Sequence, residues 1–353
     1  MMSFLILKPV AFGLDISDLS LKIVQLKKSG KNFKLASFGE TRMNPGVIEQ
    51  GDVKNEKALS ENIKKAVKDV CGEKIHTKHV VISLPEEKAF LQVIQLPLMK
   101  EEEVQKAVYF EAENYIPLPI EKVYLDSQII SCDTKTRKLN VLIAALPKTI
   151  VDSYLSSLKK AGLRPVAFEI ESQAIARALV EKEMSNEPLL LVDLGANRTN
   201  FIIFSGYSLG FTSTTQVSSQ RFTEAIAKSL KVDLKEAEEL KIKHGVSGDK
   251  VGKKIFEVLY PLLVELSTQT EKYLDYCRVH YGQEVKNILL CGGGANTKGL
   301  PDFLSVYLKL TVKRGNPWTN ILSNQQKEVS QLPYDESLRY TTALGLALRG
   351  IRS

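Results

Sequence analysis

The sequence predicts an α/β protein built from two related halves. Two segments of similar design support this prediction, residues 188–204 in the middle of the chain and residues 13–26 near its start. In each, apolar runs flank a small polar turn, a pattern typical of two core strands joined by a hairpin. A carboxylate stands where the first strand of each segment ends, Asp193 in one and Asp15 in the other. We therefore expect each half to offer one hairpin carboxylate to a ligand bound between them.

Composition limits the class of protein. At 353 residues the chain is long enough for two or more domains, and 44% hydrophobic with 25% charged residues is ordinary for a globular protein. The net charge of +7 comes from basic residues dispersed over predicted helices, which indicates solvated helix faces and no nucleic-acid partner. No apolar run is long enough to cross a bilayer, so we expect membrane contact only through a partner. Without a CxxC motif, the cysteines are predicted to be reduced core residues of a cytosolic protein: Cys71, Cys132, Cys277 and Cys291.

The first half continues the hairpin as an α/β layer. Residues 33–40 alternate as a third strand, and residues 56–70 place Leu59, Ile63 and Ala66 on one side of a helix. A buried strand at 79–85 stops at a proline. Residues 164–170 and 171–183 are predicted to return to this layer as a strand and a helix.

Residues 86–165 are predicted to be an inserted subdomain. It comprises strands at 90–97, 123–131 and 139–145 and helices at 101–114 and 147–161. Aromatic and acidic residues cluster where the first of these helices ends: Tyr109, Phe110, Glu111, Glu113, Tyr115 and Ile116. Such a mixture suits a peptide-docking surface. It also suits a helix that packs its own aromatic face on the sheet, and both interpretations stay open.

The second half follows the central hairpin. Ser218-Ser219 is a predicted N-cap for a helix through residue 230, Asp233 caps another helix, and a long helix covers residues 250–281. A core strand at 285–291 runs straight into Gly292-Gly293-Gly294, where bare backbone would let a flat ligand lie close. An Ala/Gly-rich helix at 341–349 is expected to pack tightly. Neither a P-loop nor a Rossmann glycine signature occurs.

Taken in order, these elements resemble the actin-like ATPase superfamily. The hairpin at 13–26 resembles its phosphate-1 motif, that at 188–204 its phosphate-2 motif, and residues 288–295 its adenosine motif. Residues 169–179 and 341–348 resemble its two connecting helices. Within that superfamily, three segments of the chain are similar to the pattern of the PilM family of type IV pilus assembly proteins. They are Glu-Ala-Glu-Asn-Tyr-Ile-Pro at 111–117, Glu-Lys-Val-Tyr-Leu-Asp at 121–126 and Phe-Glu-Ile-Glu-Ser at 168–172.

The resemblance implies a two-lobed actin-like (ribonuclease H-like) fold with an inserted FtsA-type IC subdomain. The implied first-lobe core comprises residues 1–85, 166–186 and 340–350, and the insertion residues 86–165. The implied second-lobe core comprises residues 187–217 and 284–339, and a helical subdomain residues 218–283.

It also implies a site for ATP or ADP with Mg²⁺, which Asp15 and Asp193 would hold through water. The implied nucleotide-binding residues are Asp15, Ser17, Asp18, Leu19, Lys22, Asp193, Gly195, Ala196, Asn197, Thr199, Glu238, Lys241, Gly292, Gly293, Gly294 and Ala295. Glu171 would orient an attacking water, or it has a structural role at the edge of the core. Three departures from the family pattern predict weak ATPase activity at most: Ser17 for glycine, Asp18 for a small hydroxyl residue, and Ser218-Ser219 for a glycine pair.

For partners, the resemblance implies a cytoplasmic scaffold that is held at the inner membrane by the cytoplasmic N-terminal peptide of PilN. The peptide would lie between the first-lobe core and the insertion, against Tyr109, Glu111, Glu113, Tyr115 and Ile116. Contact with the PilO complex and motor ATPases would be indirect, and self-association is left open. The alternatives are an FtsA-like division protein, a GspL-like secretion protein and a sugar kinase. An FtsA-like protein would call for a C-terminal membrane helix and a GspL-like protein for a membrane span, and the sequence shows neither. A sugar kinase would call for a catalytic base near Asp15.

Overall fold

The computed structural model describes residues 10–30, 32–133, 136–322 and 331–352. By residue contacts the chain forms two compact units. The first consists of Met1–Lys182, Pro317–Leu332 and Tyr340–Ser353, and the second of Glu183–Asn316 and Pro333–Arg339. Each unit has a sheet and a hydrophobic core of its own.

The first unit begins with a six-stranded sheet and a smaller inserted sheet. Its elements are β1 (Phe12–Ile16), β2 (Ser20–Ser29), β3 (Asn32–Arg42), β4 (Ile48–Glu49), β5 (Asp52–Val53), α1 (Glu56–Lys68), β6 (Cys71–Gly72), β7 (His79–Leu84), β8 (Phe90–Pro97), α2 (Glu101–Ala112), β9 (Val123–Asp133), β10 (Lys138–Pro147), α3 (Lys148–Lys160), β11 (Arg164–Ile170) and α4 (Glu171–Leu179). The large sheet has the order β11-β7-β1-β2-β3-β6, in which β1 to β3 are antiparallel and β7 and β11 run parallel to β1.

The insertion forms a three-stranded sheet, β8-β10-β9, covered by α2. Val104, Val108 and Ala112 of α2 pack with residues of these strands in a separate core cluster. By contrast, α3 packs against α1 and against β11 of the large sheet. Tyr154 on α3 also donates from its hydroxyl to the carbonyl of Gly51, between β4 and β5, at 3.1 Å. The predicted insertion therefore contains a compact module at residues 90–147, followed by a helix that belongs to the core around it.

The second unit repeats the strand arrangement of the first. Its elements are β12 (Ser185–Leu194), β13 (Thr199–Gly206), β14 (Ser208–Thr215), α5 (Ser219–Leu230), α6 (Leu234–Lys243), α7 (Lys250–Tyr281), β15 (Asn287–Cys291), α8 (Leu300–Leu308), β16 (Thr311–Arg314) and α9 (Tyr334–Ser337). The order β14-β13-β12-β15-β16 matches β3-β2-β1-β7-β11 in both position and strand direction. The two halves predicted from the paired hairpins are therefore related in topology.

The last helix, α10 (Thr341–Arg352), returns to the first unit. A Cβ atom at Gly345 would lie 1.9 Å from the carbonyl oxygen of Ala174 on α4. A Cβ atom at Gly13 on β1 would lie 2.4 Å from the carbonyl oxygen of Ala343. The predicted close packing of this Ala/Gly-rich helix is confirmed, because only glycine allows these backbone approaches.

Three expectations differ from the structure. The helix predicted at 171–183 ends at Leu179, and Lys182 and Glu183 follow with positive φ angles of 52° and 54°. Cys71 and Cys132 are exposed, which leaves Cys277 and Cys291 as core cysteines. Residues assigned to the second lobe, Trp318, Ile321 and Leu332, pack in a first-unit cluster. The finer division into four subdomains stays a prediction, and its residues 1–9, 31, 134–135 and 323–330 lie outside the described residues.

Candidate functional site

Asp15 lies near the end of β1 and is 7% exposed. Ser83 on the parallel strand β7 donates from Oγ to Asp15 Oδ1 at 3.0 Å. Lys22 on the antiparallel strand β2 places Nζ 3.8 Å from Asp15 Oδ2. Ser83 is itself fixed, because the backbone N–H of Ile16 donates to its Oγ at 3.0 Å.

Asp193 in the second unit has neighbours at the corresponding strand positions. Cys291 on the parallel strand β15 lies with Sγ 3.7 Å from Asp193 Oδ1. Asn200 on the antiparallel strand β13 donates from Nδ2 to Asp193 Oδ2 at 3.5 Å and accepts from Thr214 Oγ1 at 2.9 Å. Each aspartate thus has one neighbour from the parallel strand and one from the antiparallel strand beside it.

The first hairpin turn is closed by its own serines. The backbone N–H and the Oγ of Ser17 both donate to the carbonyl of Ser20 at 3.0 Å. Asp18 accepts from the backbone N–H groups of Gly51 at 3.0 Å and Gln50 at 3.2 Å. The Asp18 carboxylate therefore caps the turn between β4 and β5, which accounts for an acidic residue in a turn predicted to cradle phosphates.

The second hairpin turn is joined to the start of α5. The carbonyls of Gly195 and Ala196 accept from the backbone N–H groups of Ser219 and Gln220, both at 3.0 Å. Ala196 is exposed and Asn197 is partly exposed, so this part of the turn is open to solvent. The first turn of α5 is therefore hydrogen-bonded to the turn between β12 and β13.

The glycine triplet after β15 contains one open position. A Cβ atom at Gly292 would lie 2.4 Å from Asp193 Oδ1, and one at Gly294 would lie 2.4 Å from Leu194 Cγ. At Gly293 the nearest atom to such a Cβ would be 4.0 Å away. Packing therefore requires glycine at Gly292 and Gly294, whereas Gly293 alone offers free space above its backbone.

Besides Asp15, Gly292 and Gly294, three more of the predicted nucleotide-binding residues are buried. Ala295 is 1% exposed and belongs to the core of the second unit. Thr199 is fully buried, and its Oγ1 donates to the carbonyl of Val217 at 2.7 Å. Lys241 is also fully buried. These three side chains therefore have a structural role at the predicted site.

Lys241 on α6 donates from Nζ to four acceptors. They are the carbonyl and the Oγ of Ser219, at 3.1 and 2.6 Å, Thr223 Oγ1 at 2.8 Å and Glu238 Oε2 at 2.6 Å. Burial lowers the pKa of the Lys241 ammonium below its ordinary value, and the charge of Glu238 acts in the opposite direction. The Glu238 side chain keeps 42% of its surface exposed.

Glu171 is the first residue of α4 and is partly buried. The next residue, Ser172, donates from its backbone N–H and its Oγ to the buried carboxylate of Glu86, at 2.9 and 3.0 Å. Burial first, and nearby negative charges second, hold the pKa of the Tyr154 phenol far above its ordinary 10.0. These charges belong to Glu171, Asp18, Asp52 and Asp15. The charges of three predicted site residues therefore act on one buried phenol in the first unit, and both interpretations of Glu171 stay open.

The aromatic side chains at the end of α2 face solvent. Tyr109, Phe110 and Tyr115 are 44%, 72% and 43% exposed, and Glu111 and Glu113 are exposed beside them. The residues of α2 that pack inward are Val104, Val108 and Ala112. The interpretation that α2 packs its own aromatic face on the sheet is therefore wrong. We call Tyr109, Phe110 and Tyr115 the α2 aromatic ridge.

Ile116 differs from the rest of the cluster. It is 6% exposed and belongs to the core of the inserted module. It also forms part of the wall of a groove of about 440 Å³. The other lining residues are Glu113, Pro117, Leu118, Pro119, Ile120 and Glu121. Ile116 thus shapes a groove that begins at the end of the ridge.

Comparison with known proteins identifies the family. The sequence profile of the family described as Type IV pilus assembly protein PilM matches residues 13–351. The chain belongs to this family. The PilM-family assignment agrees with the resemblance carried by the three segments at 111–117, 121–126 and 168–172.

Solved structures and a curated protein are similar to this PilM-family chain. A chain of the PilM-PilN type IV pilus biogenesis complex is 29% identical, with 98% of this chain and 99% of that chain covered and a TM-score of 0.81. MreB5 of Spiroplasma citri bound to AMPPNP is 13% identical over 96% of this chain and 94% of that chain, with a TM-score of 0.54. Cell division protein FtsA of Neisseria meningitidis serogroup B is 20% identical over 190 residues, which cover 48% of this chain and 46% of that protein. The chain thus aligns with about half the length of FtsA.

The predicted fold class is confirmed: this PilM-family chain has the actin-like ATPase fold. Within the described ranges, no helix combines the length and apolar character needed to cross a membrane. The described residues also contain no group of three or more His, Cys, Asp or Glu side chains placed to hold a metal ion. Mg²⁺ commonly binds proteins through one or two carboxylates, with water and phosphate completing its shell, and the carboxylate of Asp15 or that of Asp193 is a ligand of this kind.

Proposed function

We propose that this chain is a nucleotide-binding cytoplasmic scaffold of the type IV pilus inner-membrane assembly complex and that it binds the N-terminal cytoplasmic peptide of PilN. The observation that carries the proposal is the similarity along 98% of the chain to a component of the PilM-PilN complex. In this proposal the protein reaches the membrane through PilN.

The α2 aromatic ridge supports the peptide-binding half of the proposal. Large apolar side chains that stay exposed on a folded module often mark an interaction site. Phe110, at 72% exposed, and Tyr109 would receive the leucine side chains of an Asn-Leu-Leu-Pro-like peptide. The exposed carboxylates of Glu111 and Glu113 would attract the basic residue that follows, and the groove beside Ile116 would extend the contact.

Isothermal titration with a synthetic PilN peptide tests this half. Truncation of Phe110 and Tyr109 to alanine should weaken binding about thirtyfold, as expected for interface hot spots. Reversal of both charges, Glu111→Lys with Glu113→Lys, should weaken it about tenfold at low salt and less at high salt. The matched control reverses two exposed glutamates of α7, Glu257→Lys with Glu271→Lys, and should leave affinity unchanged. Undiminished affinity in the aromatic variant would refute the docking surface.

The nucleotide-binding half rests on the fold and on the two aspartates. MreB5, which shares this fold, binds AMPPNP. In this proposal Asp15 and Asp193 hold Mg²⁺ through water, the two hairpin turns approach phosphates, and Gly293 lies against the adenosine. The side chain of Asp18 is engaged at Gln50 and Gly51, so phosphate contact at this turn would fall to backbone groups.

Titration with ATP and Mg²⁺, with and without the peptide, tests this half. Asp193→Asn should weaken ATP binding at least about tenfold in the presence of Mg²⁺, because a metal-directed charge is lost. Phosphate release should stay far below the roughly 1–10³ per second typical of metabolic enzymes. ATP binding that is indifferent to both Asp193→Asn and Mg²⁺ would contradict the assignment.

A further inference from the structure

The edge of the large sheet that lies opposite Asp15 is basic. Because β1 ends near Asp15, β7 and β11 run parallel to β1, and β2 runs antiparallel to it, the starts of β1, β7 and β11 and the end of β2 lie together at this far edge. The end of α10 lies there as well, because the backbone N–H of Ala11 donates to the carbonyl of Gly350 at 3.2 Å. We call six exposed cations at this edge the basic pole: Lys28, Lys34, Lys74, Lys78, Arg164 and Arg352.

Strand pairing places the cations of the basic pole in one row. Lys28 on β2 pairs with Phe33 on β3, and the guanidinium of Arg352 lies 5.8 Å from the centre of the Phe33 ring. At the other end of the row, the backbone N–H of Arg164 donates to the carbonyl of Lys78 at 2.8 Å. The strand order β11-β7-β1-β2-β3 has neighbours about 4.8 Å apart, so the row is about 19 Å long.

A groove of about 450 Å³ opens within the basic pole. Lys28 and Lys74 line it, and Glu73, the one carboxylate among its lining residues, is paired with Lys27. The apolar residues of the lining are Val10, Leu26, Ala36 and Ile351. Val10 is 47% exposed, whereas the other three are buried. The groove therefore offers apolar surface bordered by lysines.

The charges of the basic pole are largely uncompensated. Among the residues that the structure describes, five of the six cations form no ion pair: Lys28, Lys34, Lys74, Lys78 and Arg164. They are dispersed along the sequence, and only the fold gathers them on one face. Such a face carries a positive potential that attracts an anionic partner.

The composition of the basic pole favours a lipid surface over a protein partner. Lysine is depleted from protein–protein interfaces, whose buried centres are rich in aromatic residues. No Phe, Tyr or Trp is among the residues that line the groove. Clusters of Lys and Arg are by contrast typical of protein segments that bind the anionic lipids of a membrane.

We propose that the basic pole binds anionic phospholipid headgroups at the membrane surface directly. This inference goes beyond the proposed function, in which the chain reaches the membrane through PilN. A row of cations about 19 Å long on flexible stems meets several headgroups at once. Val10 and the groove beside it add apolar contact where headgroups and acyl chains meet.

Co-sedimentation with lipid vesicles tests the proposal with the full chain and without PilN. The wild type should bind vesicles of phosphatidylglycerol mixed with phosphatidylcholine and should not bind vesicles of phosphatidylcholine alone. Lys28→Gln with Lys34→Gln and Lys74→Gln should weaken binding about a hundredfold, since each lysine beside an anionic surface contributes a factor of about five. Binding should also weaken with salt, because the Debye length falls from about 10 Å at 0.1 M to about 3 Å at 1 M.

The matched control neutralises three exposed lysines of α6 and α7, Lys243→Gln with Lys253→Gln and Lys254→Gln. It changes the net charge by the same amount and should keep vesicle affinity within about threefold of the wild type, because these lysines lie outside the basic pole. Thermal unfolding of both triple variants should match that of the wild type, since all six exchanged side chains are exposed.

Equal losses of vesicle affinity in the two triple variants would overturn the proposal, because net charge alone would then account for binding. A wild type that binds no anionic vesicle would overturn it as well, and the basic pole would then suit an acidic protein. Affinity for the PilN peptide should stay the same in both triple variants. Vesicle binding by a chain that does not bind the PilN peptide would refute the proposed function and support this inference.

Discussion

Arg177 on α4 donates two hydrogen bonds to Glu169 on β11, from Nη1 to Oε2 at 2.5 Å and from Nη2 to Oε1 at 2.7 Å. The Glu169 side chain is 1% exposed, and Arg349 on α10 is its second partner. Arg177 also donates to the carbonyl of Gly345 on α10 at 3.3 Å. One buried carboxylate thus joins the last strand of the large sheet to two helices.

Removal of one of these arginines should therefore lower the free energy of unfolding. Arg177→Met should lower the free energy of unfolding by about 3–5 kcal/mol, because it leaves the carboxylate in the core with less compensation. Urea denaturation measures the loss. The double variant Glu169→Leu with Arg177→Met should recover part of it, since no buried charge then remains between them. A single variant within about 1 kcal/mol of the wild type would contradict the prediction.

Gly345→Ala should destabilise the protein although alanine favours helix. Replacement of a helical glycine by alanine ordinarily adds about 1 kcal/mol of stability. Here the new Cβ atom would lie 1.9 Å from the carbonyl oxygen of Ala174, so α4 and α10 must separate. We expect a net loss of about 1–3 kcal/mol, measured by urea denaturation. Gly248→Ala is the control, because a Cβ atom there meets nothing within 4 Å, and a larger loss in that variant would argue against the packing explanation.

Tyr154 should give stability a dependence on alkaline pH. Its pKa is raised on folding by burial and by neighbouring carboxylates, so above pH 10.0 the unfolded chain loses the proton while the folded protein keeps it. Since the folded state then binds more protons, the free energy of unfolding should fall by up to about 1.4 kcal/mol per pH unit. Tyr154→Phe should remove this component, seen as a shallower fall between pH 10 and 11. Tyr207→Phe, at a side chain 70% exposed, should keep the wild-type slope.

The fold followed closely from local sequence patterns. The long helix was predicted at 250–281, the bounds of α7, because its apolar period runs over many turns. The predicted caps also hold, since Ser218 Oγ accepts from Arg221 N–H at 3.4 Å and Asp233 Oδ1 from Glu236 N–H at 2.8 Å. Each of these features depends on residues a few positions apart.

Features that depend on strand register were not predictable in this way. Ser83 and Cys291 lie beside the two aspartates only because β7 and β15 run parallel to β1 and β12, which the sequence does not reveal. Lys22 and Asn200 had a weaker signal, since each stands seven residues after its aspartate. No signal in the sequence indicated the burial of Lys241, because a lysine three residues after a glutamate usually forms an exposed ion pair on a helix surface.

Substitution by alanine should affect ATP binding at Gly293 and stability at Gly292. Gly293→Ala meets no atom closer than 4.0 Å, so the variant should keep the wild-type free energy of unfolding within about 1 kcal/mol. If the adenosine lies on this backbone, the added methyl group should weaken ATP binding about tenfold or more. Gly292→Ala combines a φ of 79° with a clash at Asp193, so it should lose stability whether or not nucleotide is present. Thermal unfolding and ATP titration of both variants separate the two roles. Wild-type ATP affinity in a well-folded Gly293→Ala would place the nucleotide base away from the glycine triplet.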